Sequence, residues 1–284
     1  VPSLTTDDGV TLHYEENGSG TPIVFVHEFA GDWRSWEPQV QHFSRRFRCI
    51  AYNARGYPPS AVPENVERYS QQRARDDILS VLDALAIERA HIVGNSMGGF
   101  ATLHFGMAYS ARALSLTVAG CGHGAHPDEY QGFQAQAREL AQTMLEKGMA
   151  HVAATYGHSA ARLQLKAKNR RGFDEFIRNF SQHSARGSAN TMLGYQAQRP
   201  SLYDLTAEMA RIAAPTLIVA GDEDETVLEP SLLMKRSIPG AGLVVLPKSG
   251  HLTNLEEPAL FNRLLEDFFY QIESGRWPGR EVSV

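Results

Sequence analysis

The chain has 284 residues, of which 43% are hydrophobic and 21% charged; that balance excludes a disordered chain and allows a sizeable core. A formal charge of −5 and a pI near 6.1 argue against a dedicated nucleic-acid or anionic-membrane binder, which normally carries a basic patch. No run approaches the roughly 20 apolar residues that span a bilayer, and the opening VPSLTTDDG lacks the charged-then-apolar layout of a signal peptide.

Two cysteines, Cys49 and Cys121, make no disulfide framework and have no partners at metal-ligand spacing. They fit a reducing compartment, and the expectation is a cytoplasmic protein; the first residue is Val1 rather than Met, which leaves room for a preceding segment. The basic cluster Lys166, Lys168, Arg170 and Arg171 reads as a solvated helix face.

In chain order, the first buried-strand pattern is PIVFVH (22–27), and it runs into HEFAGDW, where Glu28 puts a carboxylate directly after His27. Trp33 and Trp36 follow, Trp36 expected in the core and Trp33 as a candidate pocket residue; Asp32 and Arg34 beside them read as solvated. RCIAYNA (48–54) is the next strand pattern. SQQRARDDILSVLDALAI has Ile78, Leu79, Leu82, Leu85 and Ala86 at three- and four-residue steps, the spacing of an amphipathic helix.

RAHIVGN (89–95) then passes directly into a helical pattern through GNSMGGF, with Gly94, Ser96, Gly98 and Gly99 at the junction. This is G-x-S-x-G between a strand and a helix. A sharp turn there strains its central residue, and only small neighbours let the backbone pass so closely. The Ser96 oxygen is held clear of the backbone, and the helix N-terminus offers free N–H groups to a developing oxyanion.

After the strand pattern ALSLTVAG (113–120), the segment from about Gly122 to Tyr203 has helical spacing and no convincing strand. It divides the chain into residues 1–121, a helical cap 122–204 and residues 205–284, the outer two forming one α/β core. His123 and His126, at its start, have no third ligand at suitable spacing and read as a hinge loop. Tyr130, Tyr156, His158 and Tyr195 are candidate substrate contacts, with helix packing an equally good account of each.

PTLIVAG (215–221) precedes DEDE, which supplies Asp222, Glu223 and Asp224 as candidate acids, Asp224 preferred. AGLVVLP (241–247) is the last strand pattern, and His251 follows it in a loop before the helix pattern PALFNRLLEDFFYQIESG. A serine hydroxyl needs a base, usually a histidine oriented by a carboxylate. Ser96, an acid and His251 occur in the order Ser, Asp, His.

These residues resemble the α/β-hydrolase superfamily, near its bacterial esterase, lactonase and meta-cleavage-product hydrolase branches. The resemblance covers about Val10 to Gly120 and Leu205 to Ser274. It implies an eight-stranded, mostly parallel sheet with helices on both faces and a helical cap. It places the acid three residues after a glycine, which from Gly221 is Asp224. YNARGYPPS is similar to a family stretch that usually has Asp at 53 and Gly at 58, departures expected to alter a structural loop.

The resemblance also makes HEFAGDW the oxyanion loop, with the N–H groups of Phe29 and Met97 facing the substrate oxygen. Glu28 stands where the family has glycine. The favoured placement pairs it with Arg55 or Arg34 to shape the loop; the others put it in the pocket, either selecting a cationic or hydrogen-bond-donating group or positioning water. An unpaired carboxylate beside an oxyanion would oppose the reaction.

Ser96 stands where haloalkane dehalogenases and epoxide hydrolases have aspartate, so neither activity is expected. The leading expectation is ester, lactone or amide hydrolysis of a small molecule by Ser96, His251 and Asp224, without cofactor or metal. GNSMGG resembles carbon–carbon bond hydrolases, whereas HEFAG departs from their glycine-rich loop; that reaction, a ligand receptor and a lyase are the alternatives.

Overall fold

The computed structural model describes residues 2–279. Its strands are β1 (Ser3–Thr5), β2 (Thr11–Asn17), β3 (Thr21–Val26), β4 (Phe47–Tyr52), β5 (Ala90–Asn95), β6 (Ala113–Ala119), β7 (Thr216–Gly221) and β8 (Ala241–Leu246). Helices α1 (Glu37–Phe43), α2 (Gln71–Ala84) and α3 (Met97–Tyr109) precede β6. Helices α4 (Pro127–Thr155), α5 (Leu163–Lys168), α6 (Arg170–Ser181), α7 (Ala185–Asn190) and α8 (Thr206–Met209) lie between β6 and β7. Helices α9 (Glu225–Ser237), α10 (Thr253–Glu256) and α11 (Pro258–Glu273) complete the chain.

The strands form one sheet in the order β1-β2-β4-β3-β5-β6-β7-β8. Pairing is antiparallel for β1 with β2 and β2 with β4, and parallel from β4 to β8. The eight-stranded, mostly parallel sheet expected from the resemblance is therefore present. β3 shows how its residues make both faces: Val24 and Val26 enter a core with Ile78 and Leu82 of α2 and Leu103 of α3. Ile23 and Phe25 enter the opposite core with Trp36, the N-cap of α1, Val40 and Phe43 of α1, and Phe261, Leu265 and Phe268 of α11. Side chains alternate across a strand, so a continuous apolar run serves two helical layers at once.

Local signals set the helix limits. Ser70 caps α2 by accepting from the Arg73 N–H at 3.0 Å, and α11 begins with Pro258 at its first turn, where a missing N–H costs nothing. α11 buries Phe261, Leu265, Phe268 and Phe269; at about 1.5 to 3 kcal/mol per large apolar side chain, this face anchors the helix without help from propensity. The helical cap between β6 and β7 opens with α4, which kinks at Gly148, and it covers the end of the sheet from which the loops after β3, β5 and β7 emerge. Open α/β sheets form their crevices at that end. Among the described residues, no helix is long and apolar enough to cross a membrane.

Candidate active site

Ser96 follows β5 directly and is the N-cap of α3, with φ 53° and ψ −115°. A positive φ is costly for a residue with a Cβ, and the surrounding glycines show what imposes it. A Cβ on Gly94 would lie 2.1 Å from the Gly98 carbonyl oxygen, and one on Gly98 would lie 2.1 Å from that of Val26. The helix is thus driven against β3 and β5, and Ser96 is left at the apex. Its hydroxyl makes no cap bond to α3, and its N–H is anchored to the Ala119 carbonyl of β6 at 2.8 Å.

His251 and Asp224 are brought together from loops after β8 and β7. His251 Nδ1 lies 2.6 Å from Asp224 Oδ2. Asp224 is buried, whereas Asp222 is exposed and accepts from the Ser249 N–H at 3.1 Å; of the two aspartates only Asp224 reaches the imidazole. Burial acts to lower the His251 pKa, but the charge and hydrogen bond of Asp224 outweigh it and hold the pKa above its ordinary value. Among the described residues the imidazole bonds to Asp224, and no Ser96–His251 hydrogen bond is formed. Such contacts commonly tighten only with substrate in place.

The His251 loop is clamped from three sides. Glu256 accepts from the N–H groups of Gly250 at 2.6 Å and Leu252 at 3.1 Å, the Ala161 carbonyl of the cap accepts from the His251 N–H at 3.0 Å, and Asn95 Nδ2 donates to the His251 carbonyl at 3.3 Å. Asn95 thereby links the serine turn to the histidine loop. Sequence reading missed Glu256 as a support, although LTNLEEP places it five residues after His251.

The loop after β3 fixes one peptide direction, and the start of α3 fixes another. The Glu28 carbonyl lies 2.7 Å from His27 Nδ1 and accepts from the Gly31 N–H at 3.1 Å. His27 Nε2 accepts from the Ala54 N–H at 3.0 Å, so Nδ1 carries the proton. In a trans peptide the C=O and N–H point opposite ways, and the Phe29 N–H therefore points away from those donors. By the same reasoning, the Ser96 carbonyl accepts from Phe100 N–H at 2.9 Å, which aims the Met97 N–H out of the helix start. The carbonyls of Phe29 and Met97 are held by the hydroxyls of Tyr57 at 3.0 Å and Tyr195 at 2.7 Å.

Glu28 is 2% exposed, and its pairing differs from the expectation. Arg55 is taken by Asp77 and Asp8, and Arg34 by Asp32, which is buried rather than solvated. Glu28 Oε2 instead accepts from the Ala30 N–H at 3.0 Å and from Arg162 Nη2 at 3.2 Å. Arg162 belongs to the cap, is also 2% exposed, and rests over the rings of Tyr156 at 4.9 Å and Phe176 at 5.6 Å. Burial works against its charge, but Glu28 more than compensates and its pKa lies above the ordinary value. A separation of 134 residues hid this pair from sequence reading.

The other singled-out residues are dispersed. Trp33 donates its backbone N–H to Asn53 Oδ1 at 2.8 Å, and its ring stands edge-on to His13 at 6.2 Å, in the packing beside the antiparallel strands. Asn53, one of the two departures from the family stretch, also donates to the carbonyls of Tyr57 and Pro58 and shapes that loop. Tyr130 donates to the Arg199 carbonyl at 2.8 Å, and Tyr195 supports Met97 as described; both hydroxyls are committed to backbone. His123 bonds Thr226 Oγ1, while His126 accepts from the Asp128 N–H at the start of α4. Cys121 lies beside Gly99, and burial drives its thiol pKa far above the ordinary value, so it is no competing nucleophile. A groove of about 310 Å³ lies under α4 and is lined by His123, Phe133, Ala137, Leu140, Tyr156 and Met192, among others. Tyr156 stands edge-on to Phe29 at 6.1 Å.

Residues 21–258 match the alpha/beta hydrolase fold family. The chain is 30% identical over 273 residues to 3-oxoadipate enol-lactonase 1 of Acinetobacter baylyi, covering 95% of this chain and 97% of that one. It is 29% identical over 271 residues to a 2-hydroxy-6-oxo-6-phenylhexa-2,4-dienoate hydrolase of Burkholderia cepacia, covering 90% of each. A hydrolase from Pseudomonas aeruginosa PA01 has the same fold, with a TM-score of 0.82 at 27% identity over 94% of this chain and 97% of that one. The chain belongs to the alpha/beta hydrolase fold family and is a hydrolase.

Proposed function

We propose that this hydrolase opens a small carboxylic ester or lactone through an acyl-enzyme. The observation that carries the reading is the 2.6 Å contact between His251 Nδ1 and Asp224 Oδ2 beside a serine held at φ 53°. Ser96 Oγ attacks the carbonyl carbon while His251 Nε2 takes its proton, and Asp224 fixes the imidazole tautomer and stabilises the imidazolium. The N–H groups of Phe29 and Met97 receive the oxyanion, each worth about 3 kcal/mol. Collapse expels the alkoxide with the proton from His251. Water, deprotonated by the same imidazole, then releases the acid and restores Ser96.

The enol-lactonase relative supports an ester-type substrate. Glu28, neutralised by Arg162, is compatible with an oxyanion nearby, because its charge is already paired. Hydrolysis of short p-nitrophenyl esters and simple lactones tests the reading, with Ser96→Ala as control; equal turnover by the two proteins would refute it. The dienoate hydrolase relative favours carbon–carbon cleavage as a second reading, and a vinylogous dienoate substrate assayed alongside separates the two.

A further inference from the structure

Among the described residues, Arg55, Arg162 and Arg199 are the arginines buried to 4% exposure or less. Arg55 lies between Asp77 and Asp8, and Arg162 lies on Glu28. Among the described residues no carboxylate pairs with Arg199. Its Nη1 donates to the Gln196 side-chain oxygen, its Nη2 donates to the His123 carbonyl, and its Nε–H has no acceptor among the described residues. The guanidinium is sandwiched between the rings of Phe100 at 3.8 Å and Phe133 at 4.4 Å.

Burial lowers its pKa to about 10, and the groups acting electrostatically on it, Tyr195, Cys121, Tyr156 and Tyr130, are weak acids that are uncharged near neutrality. Arg199 is therefore still a cation. Aromatic faces and two neutral acceptors offset part of its desolvation, but among the described residues no negative charge completes the job done by Asp77, Asp8 and Glu28 for the other two. Burying a charge without a counter-charge is costly, and the cost is recovered when an anion arrives.

The position of the charge gives that anion a source. Phe100 lies one helical turn beyond Ser96 and donates its N–H to the Ser96 carbonyl. Phe133 and His123, two of the other groups holding the guanidinium, line the groove under α4. Glu139 also lines that groove but is exposed to solvent and forms no ion pair with Arg199. The cation thus lies between the helix that starts at the serine turn and two residues of the groove.

We propose that Arg199 is a specificity-determining residue that receives a carboxylate on the substrate, separate from the carbonyl attacked by Ser96. A flat carboxylate suits the planar guanidinium held between two rings, which leaves only its edge for a ligand. The inference rests on the acyl-transfer reading for the place of the attacked carbonyl, and its binding arm does not depend on turnover.

The binding arm titrates Ser96→Ala protein with α,ω-dicarboxylates of four to seven carbons and with the matching diamides by calorimetry. At least one dicarboxylate should bind, the diamides should not, and adding Arg199→Met should weaken binding at least tenfold. Arg199→Lys, which keeps the charge, should retain part of it and supplies the comparison if the methionine variant does not fold. The kinetic arm compares monomethyl esters of the same diacids with their terminal amides on the protein with Ser96 intact. A preference for the carboxylate in kcat/KM that collapses in Arg199→Met and persists in part in Arg199→Lys supports the proposal. Ester turnover without such a preference, or dicarboxylate binding insensitive to Arg199, overturns it while leaving acyl transfer standing. Arg199-dependent binding without any ester turnover overturns acyl transfer and leaves the anion subsite.

Discussion

Replacing Glu28 by Ala should destabilise the protein far more than an ordinary loop substitution. The change removes the acceptor of the Ala30 N–H at 3.0 Å and the counter-charge of Arg162 at 3.2 Å. Arg162 stays 2% exposed, with Ser159 Oγ at 3.1 Å and two aromatic faces as its remaining partners. Removing one member of a buried ion pair costs about 3 to 5 kcal/mol, mostly for the charge left behind. At about 2 to 4 °C per kcal/mol for domains of roughly 150 to 250 residues, Tm should fall by roughly 10 °C. The double variant Glu28→Ala with Arg162→Met removes both charges and should recover part of the loss, because a well-packed apolar replacement of a buried pair is often close to neutral. Urea denaturation of the parent, the two single variants and the double variant measures this. A loss under about 0.5 kcal/mol for Glu28→Ala, the size of a surface substitution, would refute the reasoning, as would a double variant that shows the full sum of the single losses.

Three further outcomes follow from the geometry. Gly98→Ala would place a Cβ 2.1 Å from the Val26 carbonyl oxygen, so the serine turn must open; activity should fall by orders of magnitude, and wild-type turnover in a folded Gly98→Ala protein would contradict the packing described. His251 must be neutral to accept a proton, and its pKa is raised in the folded protein, so kcat/KM should rise with pH through a pKa above the ordinary imidazole value of about 6.5. The same shift contributes stability that is fully present below the unfolded pKa and lost as pH rises through the folded one; Asp224→Asn should reverse the shift, because burial and the Arg162 charge, which both lower the pKa, then outweigh the Glu28 charge, which raises it. Tyr195→Phe removes the 2.7 Å bond to the Met97 carbonyl and should cost about 1 kcal/mol of stability together with a loss in kcat, seen by denaturation and steady-state kinetics.

The parallel strands were legible because burial on both faces leaves an unbroken β-branched run: RAHIVGN at 89–95 became β5 at Ala90–Asn95, and PTLIVAG at 215–221 became β7 at Thr216–Gly221. The antiparallel strand β2, TLHYEEN, gave no such run, because its burial fades from buried to exposed along its length. The serine turn was legible for a related reason, since steric limits restrict Gly94 and Gly98 to one residue type. Contacts made by the cap were not. Arg162 and Ala161 meet Glu28 and His251 only after the helices between β6 and β7 fold back over the sheet, and spacing carries no record of that return. Trp33 looked like a pocket residue from its place beside the loop after β3, yet Asn53 holds its backbone N–H and its ring turns toward His13. Asp224 and Asp222 differ by burial rather than by type, and only the fold distinguishes them by contact.

The most direct test of the central claim is the fate of Ser96 itself. Reaction with an activated ester, followed by acid quench and intact-protein mass measurement, should trap one acyl group per chain, mapped by peptide analysis to Ser96, with formation slowed by orders of magnitude in His251→Ala and absent in Ser96→Ala. Turnover with no acyl adduct on Ser96, or an adduct that forms equally fast without His251, would contradict the account.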